Sequence, residues 1–308
     1  MKEFLLFGKN FKKVDQWQKG CWIKITQPTT AELDYLRELN VPDSFITDIS
    51  DADERPRTES DGEWLLTVLR IPRRCDEDDD IPFITVPVGV ITNGDIVAVL
   101  CYHQNTVIDD FIHYNRSKNT DITNKLVLIM RLIMSSAVWY LKYLKIMNTD
   151  INNAEDGLER SIRNEDLLKL RNMQKSLVYF NTSIRGNESL LVRLRTRFQN
   201  TGLVDRDLFE DVDIELQQAL NTVKVYSDIL NGTMEAFVSI ISNNLNVIMK
   251  RMTSISIILM VPTFIASLYG MNVHLPVAEM PWAFVFIIAL CVTLSAGAFF
   301  LFKRIKWF

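Results

Sequence analysis

The residues with the clearest chemical potential lie near the C-terminus, where polar, small and methionine residues recur at every third or fourth position. This heptad-like spacing places them on one face of a helix, and the positions between them are mostly Ile, Leu, Val and Phe. Such a face either packs closely against another helix in lipid or lines a water-filled pore to which several chains contribute. The members of this polar stripe are Asn246, Met249, Thr253, Ser256, Met260, Thr263, Ser267 and Gly270.

Enzyme chemistry has little support in the rest of the chain. The sequence contains no P-loop, no G-x-G-x-x-G and no nucleophile elbow. The histidines His103, His113 and His274 are scattered, and we expect each to be structural or exposed. We therefore predict that the protein is not an enzyme and uses no organic cofactor.

Two uncharged segments must position the polar stripe. No Asp, Glu, Lys or Arg occurs between Met252 and Ala278, or between Met280 and Phe302. A bilayer core about 30 Å thick requires roughly 20 apolar residues in a helix. Residues 252–271 and 282–302 are therefore predicted to be two membrane spans, because a pair of buried core helices would rarely be so long without a charge.

Basic residues predict the orientation of these spans. Lys250 and Arg251 precede the first span and a basic tail, residues 303–308, follows the second, whereas residues 272–281 contain neither Lys nor Arg. By the positive-inside rule both termini face the cytoplasm, and residues 272–281 form an external loop. The apolar run within residues 1–13 is too short for a secretory signal, so we expect about 250 residues to lie in the cytoplasm.

Composition excludes several classes of protein. Of 308 residues, 48% are hydrophobic and 23% charged, which excludes a disordered, collagen-like or disulfide-knotted protein. The net charge of −4 argues against nucleic acid as a partner. The four cysteines are far apart and form no C-x-x-C pair, which is typical of reduced thiols facing a cytosol.

The N-terminal third is predicted to be an α/β domain, residues 1–115. β-branched and aromatic residues indicate strands, a two-residue hairpin is expected at Asn93-Gly94, and polar starts indicate two short helices. The predicted strands are 21–26, 64–71, 83–91 and 96–102, and the predicted helices are 30–39 and 43–49.

The following residues are predicted to be helical, because no proline occurs between Val88 and Val261. Helices over 122–147 and 152–198 would form a helical hairpin within residues 116–206. A last helix, the stalk over residues 207–271, would continue into the membrane at about residue 252. A helix of roughly 60 residues is about 90 Å long and needs lateral partners.

The end of the first span carries a specific motif, Tyr269-Gly270-Met271-Asn272, and a short loop, a second apolar stretch and a basic tail follow it. This arrangement resembles the CorA family of magnesium transport proteins, whose signature is that Tyr-Gly-Met-Asn sequence. The resemblance is clearest over residues 207–308. It extends through the cytoplasmic part, where Tyr114-Asn115-Arg116 fits the family pattern.

The resemblance implies a CorA-like homopentamer in the inner (plasma) membrane, with a funnel-shaped cytoplasmic domain and a central pore. It implies passive uptake of Mg²⁺ driven by the membrane potential, and Co²⁺ and Ni²⁺ are not distinguished from Mg²⁺ by these residues. The alternatives are a zinc-transporting member of the same superfamily and a membrane-anchored coiled-coil sensor or scaffold. Met271 favours magnesium, because the zinc-exporting branch usually varies this residue.

The resemblance also assigns roles to single residues. The segment 269–272 would form the outer pore mouth and bind a hydrated cation, and Asn246 would lie near the inner end. Glu279 is the only acidic residue near the entrance, because the loop lacks the common Met-Pro-Glu order. Pro262 stands one position later than the family's usual proline. The apolar constrictions would be Met249, Met252 and Met260.

A second metal site is implied in the cytoplasmic part. Asp211 matches a regulatory aspartate of the family, and an acidic run falls near the position of its usual partner in a neighbouring subunit. A bound Mg²⁺ would bridge the two and close the channel. The alternative is an ordinary solvated loop, and the sequence does not choose among the members of the run, Asp76, Glu77, Asp78, Asp79 and Asp80.

Overall fold

The computed structural model describes residues 1–76, 79–118, 120–160, 164–273, 276 and 280–307. Within the described chain it has two compact units, Met1–Gly232 and Thr233–Phe308. The strands are β1 (Lys2–Leu6), β2 (Lys13–Val14), β3 (Cys21–Thr26), β4 (Arg57–Asp61), β5 (Trp64–Arg74), β6 (Phe83–Thr92) and β7 (Val97–Cys101). The helices are α1 (Thr30–Glu38), α2 (Asp43–Ser50), α3 (Thr106–Lys118), α4 (Lys125–Arg160), α5 (Asn164–Phe198), α6 (Arg206–Tyr269) and α7 (Ala283–Arg304).

The first unit is built on a seven-stranded sheet in the order β2-β1-β3-β7-β6-β5-β4. Only the β3–β7 pair is parallel within the described strands, and the longest pairing joins β5 and β6 from Leu65 opposite Thr92 to Arg74 opposite Phe83. Pro87 lies within β6 at a position that β7 does not pair with, so its missing N–H breaks no bond with β7.

Helices cover both faces of the sheet. On one face α1 and α2 bury Leu36, Phe45 and Ile49 against strand residues such as Ile23 and Val68. The close approach of α2 explains a glycine, because a Cβ on Gly89 would lie 2.1 Å from Cδ1 of Ile49. Helices α3, α4 and α5 pack against the other face. Burial on both faces explains the almost continuous apolar sequence of β6.

Two local predictions need correction. The predicted break between helices near residues 148–151 is wrong, because α4 continues to Arg160. Residues 148–151 contain no glycine or proline, and Met147, Ile151 and Ala154 keep one buried face at helical spacing. The hairpin after β6 has four loop residues instead of two: Asn93 accepts hydrogen bonds from the N–H groups of Asp95 and Ile96 at 3.2 and 2.9 Å.

Three helices in the described chain are long and apolar enough to cross a membrane: Lys125–Glu155 of α4, α6 and α7. The buried fraction of the most apolar window distinguishes α4 from the other two helices. In α4, 56% of the most apolar window is buried in the structure, against 6% in α6 and 0% in α7. Helix α4 therefore belongs to the core of the first unit, whereas the most apolar windows of α6 and α7 are almost unburied among the described residues.

Candidate ion-conduction site

One side of α6 contacts α7 within the second unit. Ser254 is fully buried, and Ile258, Ile265 and Tyr269 are partly covered at intervals of four and seven residues. The Ser295 hydroxyl of α7 donates a hydrogen bond to the Ile258 carbonyl at 3.4 Å. These residues define the α7-facing side of α6.

A proline explains why this hydrogen bond forms. Pro262 lies inside α6 and has no N–H to donate to the carbonyl of Ile258, four residues earlier. A freed carbonyl inside a membrane needs another donor, because no water is available there. Ser295 supplies it, so the hydroxyl on α7 compensates for the proline in α6.

The α6-facing side of α7 consists largely of small residues. Its covered or partly covered positions recur every three or four residues, while most other positions expose large apolar side chains. Small residues allow two helices to approach closely in lipid. The covered positions are Ala283, Ile287, Cys291, Ser295, Ala298 and Phe302.

The polar stripe lies on the opposite side of α6. At 100° per residue, its centre is roughly 170° from the centre of the α7-facing side. Every member of the stripe is exposed within the chain, and Met249 and Met260 are 65% and 66% exposed. Met252, at the edge of the stripe, is 66% exposed. Among the described residues the stripe is therefore not covered by α7, and it stays open to water, lipid or another chain.

Two hydroxyl groups of the stripe are anchored to the backbone. Ser256 donates to the carbonyl of Met252 at 2.9 Å, and Thr263 donates to that of Leu259 at 2.8 Å. Each hydroxyl oxygen keeps lone pairs for further hydrogen bonds. The stripe thus presents neutral oxygen atoms, including those of the exposed Thr253 and Ser267.

The signature residues close the C-terminal end of α6. The N–H of Gly270 donates to the carbonyls of Ala266 and Ser267 at 3.0 and 3.2 Å, and Met271 N–H donates to Leu268 at 3.2 Å. The Tyr269 hydroxyl donates to the carbonyl of Pro276 at 3.2 Å, which ties the helix end to the following loop.

Asn272 directly after this turn is exposed, as are Gly270 and Met271. A Cβ added to Gly270 would lie 3.4 Å from the Ala266 carbonyl oxygen, an ordinary contact, so packing inside one chain does not require glycine here. Glu279 and His274 lie outside the described residues. Asn272 is thus the described side chain that can offer an amide oxygen at this end.

Asp211 and the acidic run both belong to the first unit. Asp211 is exposed on α6. In the loop between β5 and β6, Asp76 and Asp79 close a turn: Asp79 N–H donates to the Asp76 carbonyl at 3.1 Å, and Asp76 N–H donates to Asp79 Oδ2 at 3.3 Å. Asp80 is exposed beside them, and Asp78 lies outside the described residues.

Two contacts give the distance between Asp211 and this loop within one chain. The loop is anchored where Phe83 N–H donates to the Ser176 hydroxyl of α5 at 3.2 Å. Helix α6 runs antiparallel to α5, and Gln217 donates to Glu188. Asp211 and Ser176 are therefore roughly 27 Å apart along the helices. Among the described residues, no group of three or more His, Cys, Asp or Glu side chains could hold a metal ion within one chain.

The described histidines do not form a metal site. His103 is half-buried, and its pKa lies below the ordinary value because of burial and the nearby cations Arg73 and Arg70. The same positive charges disfavour a bound metal ion. His113 is exposed on α3.

Together, a sheet-containing domain, very long helices and two apolar C-terminal helices with an uncovered polar stripe define a two-span membrane transport protein. The chain belongs to the family of CorA-like Mg²⁺ transporter proteins, whose pattern matches residues 17–304. The predicted membership of the chain in that family is thereby confirmed. The family consists of transporters.

Two curated relatives cover most of the chain. The cobalt/magnesium transport protein CorA of Methanocaldococcus jannaschii is 26% identical over 304 residues, 93% of this chain and 90% of that protein. The protein of the same name from Thermotoga maritima is 24% identical over 85% of this chain and 75% of its own.

Solved structures share the fold. The complete CorA magnesium transporter of Methanocaldococcus jannaschii superposes with a TM-score of 0.83 at 23% identity, over 100% of this chain and 99% of that chain. The full-length CmaX protein gives a TM-score of 0.70 at 16% identity, over 99% and 97% of the chains. The predicted fold class, an α/β domain followed by long helices and C-terminal apolar helices, is confirmed.

Proposed function

We propose that five copies of this chain form a channel for passive Mg²⁺ uptake driven by the membrane potential. The observation that carries this proposal is the polar stripe of α6, which lies opposite α7 and is exposed along its length. Several copies of one such face can enclose a hydrated path. Relatives named as cobalt/magnesium transport proteins support Mg²⁺ or Co²⁺ as the transported ion.

In this proposal the protein lies in the inner (plasma) membrane with both termini in the cytoplasm. Residues 1–115 and 116–206 form the cytoplasmic domain and hairpin, and residues 207–271 form the stalk with its membrane part from about 252. Residues 272–281 are the external loop, 282–302 the outer span and 303–308 the cytoplasmic tail. Basic residues on both inner flanks support this orientation.

The neutral stripe suits an ion that keeps its water. Mg²⁺ holds an octahedral shell and dehydrates reluctantly, and conduction requires contacts that are weak and multiple. Amides of Asn272 at the mouth and Asn246 at the inner end would contact bound waters. Rings of Met249, Met252 and Met260 would form narrow apolar constrictions, which can stop ions by dewetting. Glu279 at the entrance stays a prediction.

The replacement Asn272→Ala tests the mouth. The change removes the amide but leaves the helix-closing bonds of Gly270 and Met271, which use backbone atoms. We expect Mg²⁺ flux in liposomes to fall at least about tenfold, consistent with the loss of a hydrogen bond to a charged ligand, while cross-linking still yields the pentamer. His113→Ala, an exposed change on α3, is the control. Wild-type flux in Asn272→Ala would exclude this residue from the selective contact.

We further propose that cytoplasmic Mg²⁺ closes the channel through Asp211. The acidic loop of Asp76, Asp79 and Asp80 is its proposed partner, and their separation along one chain means that an ion can bridge them only between copies. A divalent ion between facing carboxylates would favour a closed ring, and its loss would let repulsion open the ring. Asp78 belongs to the same prediction.

Asp211→Lys tests this sensor, because a fixed positive charge would replace the ion. We expect the cytoplasmic unit to resist proteolysis without Mg²⁺ and to gain little protection when Mg²⁺ is added. The control is Asp228→Lys, an exposed position on the same helix. If Asp211→Lys gains protection with Mg²⁺ as the wild type does, Asp211 is not part of the sensor.

A further inference from the structure

A cleft outside the proposed pore lies between α3 and α4 in the first unit. It has a volume of 230 Å³. Phe111 and Tyr114 of α3 form one wall, and Met134, Val138 and Trp139 of α4 form the other. Five of the eleven lining residues are apolar or aromatic and form both walls, so the cleft suits a flat hydrophobic group with a polar substituent.

Arg131 lies in the same cleft without an ion-pair partner among the described residues. Its Nε is buried and makes no hydrogen bond. Its Nη1 contacts only the sulfur of Met134, at 3.6 Å, which is a weak acceptor. A guanidinium presents a planar fork of donors that matches a carboxylate. A buried Nε that lacks an acceptor, beside the open Nη groups of the same fork, therefore offers a place for an anionic partner.

The carboxylate that lines the cleft is already engaged. Asp110 accepts hydrogen bonds from Trp139 Nε1 at 2.9 Å and from Lys142 Nζ at 3.2 Å. Lys142 also lies 4.1 Å from the centre of the Trp139 ring. Asp110 thus neutralises Lys142 and fixes the indole as a wall, and the charge of Arg131 stays uncompensated.

We propose that this cleft binds a small organic anion, a carboxylate carried on a flat apolar body. The carboxylate pairs with Arg131, and the apolar body lies between the α3 and α4 walls beside Trp139. The volume is below the roughly 300–1,000 Å³ of sites for drug-sized molecules, so the ligand has no more than about two fused rings. This site is independent of the proposed pore.

The experiment measures binding of 2-naphthoate to the full-length protein in detergent by ligand-observed NMR, with empty micelles subtracted. Its neutral counterpart is 2-naphthamide. We expect saturable binding of 2-naphthoate to the wild type, at least about tenfold weaker binding of the amide, and at least about tenfold weaker binding of 2-naphthoate to Arg131→Gln. Val138→Trp, which fills the cleft but keeps Arg131, should also abolish binding.

Melting temperatures of the variants show that they are folded, and Val138→Trp carries the test if Arg131→Gln does not fold. The proposal is overturned if the wild type does not bind 2-naphthoate. Equal binding to the folded variants and the wild type, or equal binding of naphthoate and naphthamide, overturns it as well. If the cleft instead receives an acidic segment of another protein, the wild type does not bind 2-naphthoate and the proposal is overturned.

Discussion

Leucine replacements of Ser254 and Ser256, one at a time, distinguish the two sides of α6. The two serines stand two residues apart, and each hydroxyl donates to the carbonyl four residues earlier, at 2.8 and 2.9 Å. They differ in surroundings, because Ser254 is fully buried on the α7-facing side and Ser256 is exposed on the polar stripe. The pair is therefore matched in residue type, depth and local hydrogen bonding.

The expected effects differ in kind. Ser254→Leu replaces the hydroxyl by a branched group about two heavy atoms larger in a closed contact, and such overpacking costs about 1–3 kcal/mol. Since 1 kcal/mol corresponds to roughly 2–4 °C in proteins of 150–250 residues, we expect the melting temperature to fall by several degrees. Ser256→Leu meets no atom of its own chain, so its melting temperature should stay within about 1 °C. It would narrow the hydrated path and lower Mg²⁺ flux at least about tenfold.

The assay measures thermal melting in detergent and Mg²⁺ flux in liposomes for the same preparations, with flux normalised to the amount of reconstituted protein. Ser256→Ala is the control for loss of the hydroxyl without added bulk. The reasoning is refuted if Ser256→Leu conducts like the wild type, or if Ser254→Leu abolishes flux with an unchanged melting temperature. The first result would remove Ser256 from the conducting face, and the second would place conduction on the side of α6 that contacts α7.

Two predictions concern the first unit. Asn187→Leu should destabilise the first unit by about 2–4 kcal/mol, or roughly 5–15 °C in melting temperature. The reason is that the buried amide forms hydrogen bonds with both the N–H and the carbonyl of Arg70, at 2.9 and 2.7 Å. Ser189→Ala on the exposed side of α5 is the control, and equal melting temperatures of the two variants would contradict the role of Asn187. His103→Gln should reduce the loss of melting temperature between pH 7.5 and 5.5. The folded-state pKa of His103 is lowered by burial, Arg73 and Arg70. The contribution of the neutral imidazole to folding stability is therefore complete above about pH 6.5 and is lost as the pH falls towards the folded-state pKa. An unchanged dependence of the melting temperature on pH in His103→Gln would exclude this role.

Strong periodic patterns located the central elements of the fold from the sequence. The strands β3, β5, β6 and β7 and the helix that ends near the Tyr-Gly-Met-Asn segment follow from apolar runs and the absence of breakers. Strand β4, Arg57–Asp61, has no such signal, because none of its five residues is apolar. It forms by pairing with the edge of β5, a long-range contact that a local pattern cannot contain.

Helix α3 could have been predicted from the sequence but was not. Asn105 accepts a hydrogen bond from the N–H of Ile108 at 3.0 Å, and Val107, Ile108, Phe111 and Ile112 are buried. An asparagine cap before apolar residues at helical spacing is a recognised helix start. The hydrogen bonds between Asn187 and Arg70 could not be predicted from the sequence, because they depend on where α5 crosses a strand more than a hundred residues earlier.

The candidate site was predictable in its residues but not in its surroundings. Spacing alone grouped the polar stripe, and it left open whether the stripe packs against a helix or meets water. Only the position of α7 answers this within the chain, through the buried Ser254 and the bond from Ser295 to Ile258. The role of Pro262 likewise became clear only with the donor that replaces its missing N–H.

Mg²⁺ influx into liposomes that contain the purified chain tests the central claim most directly. The vesicles hold no nucleotide, and a potassium diffusion potential sets the interior negative. We predict Mg²⁺ influx that increases with the imposed potential, runs without ATP and is lost in Ser256→Leu. The account is contradicted if influx requires ATP, if the potential has no effect on it, or if it persists unchanged in that variant.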